Sequence, residues 1–282
     1  MNACLKTIAT RSQQSSDADP RDYIKDGLLY CHKCHTQKEV VLPFVPEARK
    51  QTCLCECGEQ ERDDQKKQQE LKDRQHYLEN LRTRGIQDAA LRACSFEQSD
   101  GSNPENIKIA QIYAATFSET FYPQGSGLLL WGDVGTGKSY VAACIANALI
   151  NEGIPALMTS AAKINNELFN QLDKNKYLET LNYYELLIID DLGVERKSDF
   201  ALENLFTVID ERYKSNKPLI ITTNLTLEQM ETPAQIAHKR IYDRILEKCT
   251  PLAFDGSNKR QEKRLINFEA ARQQLAVAKR DV

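Results

Sequence analysis

The residues best suited to chemistry in this 282-residue chain fall into a few short groups. The first is Gly132-Asp133-Val134-Gly135-Thr136-Gly137-Lys138-Ser139, which has the spacing G-x-x-x-x-G-K-[ST]. Glycines at these places let the backbone turn its N–H groups inward around an anion, and a helix opening here adds the positive end of its dipole. Lys138 is expected to reach the β- and γ-phosphates of ATP, and Ser139 to ligate Mg2+. The run follows an apolar stretch and precedes an amphipathic one, the context this pattern needs.

A second group is Leu186-Leu187-Ile188-Ile189-Asp190-Asp191, a β-rich run that ends in two carboxylates. Such a run delivers an acid from the C-terminal end of a strand to a metal beside the phosphates, which makes Asp190 the expected Mg2+ residue. Pro218 to Asn224 is a further apolar run, and its terminal amide, Asn224, is suited to holding the attacking water or sensing the γ-phosphate. Within Ile236–Lys248, Arg240 and Arg244 stand four residues apart and so share one helix face. They are either surface charge or an arginine finger for an adjacent subunit's γ-phosphate.

Five of the nine cysteines, Cys31, Cys34, Cys53, Cys55 and Cys57, lie within 27 residues, which favours a metal over disulfides. Cys31 and Cys34 form a C-x2-C knuckle, and after a loop of 18 residues Cys53, Cys55 and Cys57 supply a second thiolate group. The set suits tetrahedral Zn2+ in a structural site that folds a segment too small for its own core. Three cysteines compete for two places in the second half, with His32 and His35 as further alternates. Glu56, Glu59, Glu61 and Asp63 would repel phosphate, so this module reads as a protein-binding one.

With 37 basic and 40 acidic residues the net charge is −3, which excludes a polybasic coat and leaves any nucleic-acid contact to a local patch. Lys163, Phe169, Lys174, Lys176 and Tyr177 offer charge and stacking in one stretch, or equally cover for the core. No run approaches the roughly 18 apolar residues of a spanning helix, and Met1 to Ser16 is too polar for a signal peptide. A cytoplasmic protein without a membrane contact is expected.

The elements that must position these groups are legible as periodicity. Apolar runs at Gly127–Trp131, Pro155–Met158, Leu186–Ile189, Leu219–Thr223 and Pro251–Phe254 fit buried parallel strands. Amphipathic stretches such as Tyr140–Asn151 and Phe200–Lys214 separate them, so the expected class is α/β, a doubly wound parallel sheet with flanking helices. Ahead of it, Glu61 to Arg84 lacks Gly and Pro and reads as a solvated helix with a thin stripe at Leu71, Leu78 and Leu81. The stripe suits either a linker or a docking face. The expected division is a disordered tail over 1–20, a zinc module over 21–60, a charged helix and linker over 61–98, an ATPase domain over 99–255, and a tail or helix over 256–282.

GDVGTGKS, LLIIDDLG, PLIITTN and HKRIYDRI, in this order and spacing from about Ser95 to Phe254, resemble the AAA+ ATPases and within them the DnaC/IstB branch. That resemblance implies Lys138 and Ser139 in Walker A, Asp190 and Asp191 in Walker B, Asn224 as the first sensor, and Arg240 with Arg244 in the R-I-x-D-R segment, Arg244 being the preferred finger. Asp191 stands where many such ATPases carry a glutamate, which implies slow hydrolysis rather than lost binding. Phage and prophage loaders point to Cys55 and Cys57 as the second zinc pair, with Cys53 the alternate. The branch implies a loader of the replicative DNA helicase that binds single-stranded DNA and self-associates with ATP, or a partner of a transposase; a nucleotide-gated zinc adaptor is the further alternative.

Overall fold

The computed structural model describes residues 19–42, 50–171, 173–193 and 199–261, together with 264, 267–269, 271 and 272. Most of the expected N-terminal tail and part of the C-terminal one lie outside the described residues. The chain divides into two compact units, residues 1–76 and 77–282.

In the first unit, β1 (Tyr23–Lys25) pairs antiparallel with β2 (Leu28–Tyr30), and β3 (Glu39–Val41) with β4 (Lys50–Thr52). Asp26 and Gly27, both at positive φ, make the two-residue turn between β1 and β2, the conformation in which right-twisted strands meet without splaying. Helix α1 (Glu56–Gly85) starts in this unit, five residues earlier than the charge pattern alone indicates, so Cys57 falls in its first turn. Of its leucines, Leu71 is exposed, whereas Leu81 is buried in the core of the second unit.

The second unit is built on a five-stranded sheet of order β6-β7-β8-β5-β9. Its strands are β5 (Gly127–Gly132), β6 (Ala156–Ser160), β7 (Leu186–Leu192), β8 (Leu219–Thr223) and β9 (Cys249–Phe254), and every neighbouring pair is parallel. The strands are near-continuous apolar runs because both faces are covered. Leu128, Leu130, Ile188 and Ile220 point to one side, against α2 (Ala89–Arg92), α3 (Pro104–Ala115) and α4 (Lys138–Asn151). Leu129, Leu187, Ile189 and Ile221 point to the other. There they meet α5 (Ala161–Asn170), α6 (Lys174–Tyr183), α7 (Asp199–Lys214), α8 (Leu227–Glu231) and α9 (Ile236–Lys248). Ile145, Leu149 and Ile150 hold α4 to the sheet, each fully buried aliphatic chain contributing about 1.5–3 kcal/mol.

One buried cation aligns the N-terminal ends of the strands. Arg212 of α7, 1% exposed, donates to the carbonyl oxygens of Tyr184 (2.8 Å), Glu185 (2.9 Å) and Pro218 (2.7 Å). The residues leading into β7 and β8 are therefore tied together, and both strands run toward the same C-terminal edge. Burial lowers the Arg212 pKa to about 10, still well above neutral pH.

Candidate functional site

At that edge β5 leads directly into the phosphate loop, and α4 opens at Lys138. Lys138 is 5% exposed, and its ammonium donates to the carbonyl oxygens of Gly132 (2.8 Å) and Asp133 (2.6 Å). Thr136 Oγ1 donates to the same Asp133 oxygen at 2.9 Å, closing the loop on itself. Burial lowers the Lys138 pKa, opposed by the charges of Asp191, Asp133 and Asp190. A buried ammonium solvated only by loop carbonyls fits an anion, because phosphate oxygens would replace those acceptors with charged ones.

Strand β7, two places from β5 across β8, carries Asp190 to the same edge. Burial pushes its carboxyl up, while hydrogen bonds from the hydroxyls of Thr222 and Ser139 pull it down. The Thr222 contact is 2.6 Å. A half-buried carboxylate sharing a hydroxyl with the last residue of the phosphate loop fits Mg2+, which would take both as ligands. Asp191 is exposed and lies at φ 56, a left-handed conformation uncommon outside glycine. Asn224 is exposed, one residue past the end of β8.

The structure thus brings Gly132–Ser139, Asp190 and Asp191 together, and it places the two arginines elsewhere. Arg244, half-buried on α9, pairs through Nε and a terminal nitrogen with Asp210 Oδ1 at 2.9 and 2.8 Å. It also lies over the Phe206 ring at 4.7 Å. Arg240 is exposed and lies over the same ring at 5.1 Å. Both therefore share a face with α7, as four-residue spacing requires, and Arg244 is the one whose orientation is fixed.

Sequence reasoning missed the segment after β9. Lys259 N–H donates to the Gly135 carbonyl at 3.0 Å, and Lys259 pairs with Asp100 at 3.2 Å. Asn258 Oδ1 sits 2.1 Å from where a Cβ on Gly135 would lie, so only glycine admits this approach. Arg260 follows, and its charge acts on both Lys138 and Asp190. The only trace in the sequence is a polar stretch past the last apolar strand, which looks like any tail.

In the first unit the thiols of Cys31, Cys34, Cys55 and Cys57 lie within 4.8 Å of one another. Cys53 lies outside this group, with its Sγ 3.4 Å from the Gln37 carbonyl. His32 faces Asp22 (3.2 Å) and His35 faces the Tyr23 hydroxyl (3.1 Å). The neighbouring thiols of Cys55, Cys31 and Cys34 push Cys57 up to about 12. Four crowded sulfurs cannot all ionise by themselves, and a divalent cation deprotonates such a set outright, so the donor chemistry fits Zn2+.

Phe169 at the end of α5 is 75% exposed and meets Phe200 of α7 edge-on, with centroids 6.2 Å apart. The Lys174 ammonium stands 4.8 Å over the Phe200 ring. Lys176 is exposed and Lys163 half-buried, while Tyr177 leans on the core.

A phosphate loop and paired acids at the C-terminal edge of this parallel sheet define a P-loop protein of the AAA+ class. The chain belongs to the family of IstB-like ATP binding proteins, whose model matches residues 56–266. It is 28% identical over 214 residues to the replicative helicase loader DnaI of Bacillus subtilis (strain 168), covering 70% of this chain and 65% of that one. It is 27% identical over 157 residues to the replicative helicase loader DnaC of Escherichia coli (strain K12), covering 54% and 62%. The chain thus spans somewhat under two thirds of the length of these two relatives. A crystal structure of DnaI superposes with a TM-score of 0.51 at 25% identity, covering 61% of this chain and 93% of that one.

Proposed function

We propose that this chain is an ATP-dependent loader of a replicative DNA helicase. The observation that carries the reading is the similarity to a named helicase loader across 70% of the chain. In this reading ATP and Mg2+ bind at Lys138, Ser139 and Asp190, with Arg260 as an additional cation beside the phosphates. Asn224 orients the attacking water, and Asp191 supports slow turnover, sufficient for a switch. Arg244, held ready by Asp210, reaches the nucleotide of a neighbouring subunit and makes self-association depend on ATP.

Single-stranded DNA lies along Phe169, Phe200 and Lys174, where exposed rings stack on bases and the ammonium meets backbone phosphate. The zinc module, proposed as residues 21–60 and joined through 61–98 to an ATPase domain at 99–255, holds the helicase. Its acidic surroundings favour a protein partner over DNA. Hydrolysis then releases the assembly. Among the described residues no helix is long and apolar enough to cross a membrane.

The second reading is an ATPase that assists a DNA transposase. It is favoured by 32% identity over 121 residues to a putative insertion sequence ATP-binding protein of Sinorhizobium fredii. The two separate in a pull-down from host lysate with the full-length chain as bait, run with ATP and repeated with a C31S/C34S variant. Recovery of the helicase by the natural chain and its loss with the variant supports the loader. Recovery of a transposase by both baits replaces it with the second reading.

A further inference from the structure

Thr222 is the fourth residue of β8 and has no solvent exposure. The pairing of β7 with β8 slips at this point: Ile189 faces Ile221, and the next matched pair is Leu192 with Thr223. Asp190 and Asp191 therefore occupy a bulge opposite Thr222. Thr222 Oγ1 donates to Asp190 Oδ1 at 2.6 Å and accepts the Asp191 N–H at 2.9 Å. The directions follow because a backbone N–H can only donate and an ionised carboxylate can only accept. One hydroxyl thus fixes the carboxylate of the first acid and the backbone of the second. Asp191 is held at φ 56, a conformation that persists where surroundings over-determine it.

We propose that Thr222 is the positioning residue of the acid pair. By holding Asp190 Oδ1, it leaves the other carboxylate oxygen to face the metal beside Ser139. By accepting the Asp191 N–H, it clamps the bulge in which Asp191 stands exposed beside Asp190. This inference rests on the reading of Asp190 as the Mg2+ residue, and it assigns to a buried strand threonine a part in metal-dependent nucleotide binding.

The test is the gain in ATP affinity on moving the full-length protein from EDTA to Mg2+, measured by titration calorimetry for the natural chain, T222V and T222S. Valine keeps the branched shape that packs in the strand and removes only the hydroxyl. T222V is expected to lose about tenfold of the Mg2+-dependent gain, the scale of one hydrogen bond to a charged group, with affinity in EDTA unchanged. T222S is expected to retain the gain. Should the valine variant not fold, T222A is read in the same way. A full gain in T222V, or a loss in T222S equal to that in T222V, overturns the proposal while the nucleotide site stands. A natural chain that binds ATP with no gain from Mg2+ overturns it as well, and one that binds no ATP removes the nucleotide reading with it.

Discussion

In the proposed reading, Lys138 is the residue on which nucleotide binding turns. Its ammonium is already buried and bonded to the Gly132 and Asp133 carbonyls, so the cost of stripping water from it is met during folding rather than at binding. The substitution Lys138→Ala is expected to weaken ATP binding by more than about a hundredfold. Two charge-assisted contacts to phosphate, each worth ~1.5–3 kcal/mol, are removed; fluorescent-nucleotide titration checks this, and tight binding by the variant would refute the site. Arg244 is the corresponding test of the trans contact. R244A should abolish ATP-dependent self-association in sedimentation velocity and leave nucleotide affinity within about twofold, because Arg244 is engaged by Asp210 and not by the phosphate loop. If R240A alone produces that loss, the finger is Arg240.

The zinc reading makes the folding of the cysteine module depend on a metal in a way the sheet's does not. Its strands are three residues long, Ile24 is exposed, and among the described residues of 19–55 the buried apolar groups are Cys31 and Cys55. Elemental analysis should find about one zinc per chain, and a strong chelator should unfold this unit while the ATPase unit keeps its cooperative melting transition. A zinc-free chain with the module's backbone amides still protected from exchange would contradict this. The end of α1 offers a different test, because Gly85 leaves no room for a side chain: a Cβ there would lie 2.2 Å from the Ala156 carbonyl oxygen of β6. G85A should destabilise the ATPase unit by about 1–3 kcal/mol in urea unfolding, the range for overpacking, with the zinc content unaltered.

Across the molecule, the loader reading divides labour between a metal-folded unit and a nucleotide-binding unit. The AAA+ unit presents two surfaces that a self-contained enzyme would not need. One is the α9 face with Arg240 and Arg244, and the other is the exposed Phe169–Phe200 pair with Lys174 above it. Both are arrangements of charge over aromatic rings, which present cations at fixed positions without burying them. In the loader reading the first face would meet a neighbouring subunit and the second single-stranded DNA.

The phosphate loop, the acids of β7 and the class of sheet were legible in the sequence, because each is a local pattern. Glycine spacing, a hydrophobic run ended by carboxylates and the alternation of short and long apolar periods report on their own neighbourhoods. The choice among five clustered cysteines was not decided by local spacing, since Cys53, Cys55 and Cys57 are equivalent along the chain. Only the folding of β4 and the first turn of α1 brings two of them, rather than the third, to Cys31 and Cys34. The positions of Thr222 and Arg260 were equally invisible, one an ordinary β-branched residue in a strand and the other a charge past the last strand. Thr222 meets Asp190 across 32 residues, and Lys259, beside Arg260, meets Gly135 across more than 100; such long-range proximity is fixed by the packing of the whole sheet.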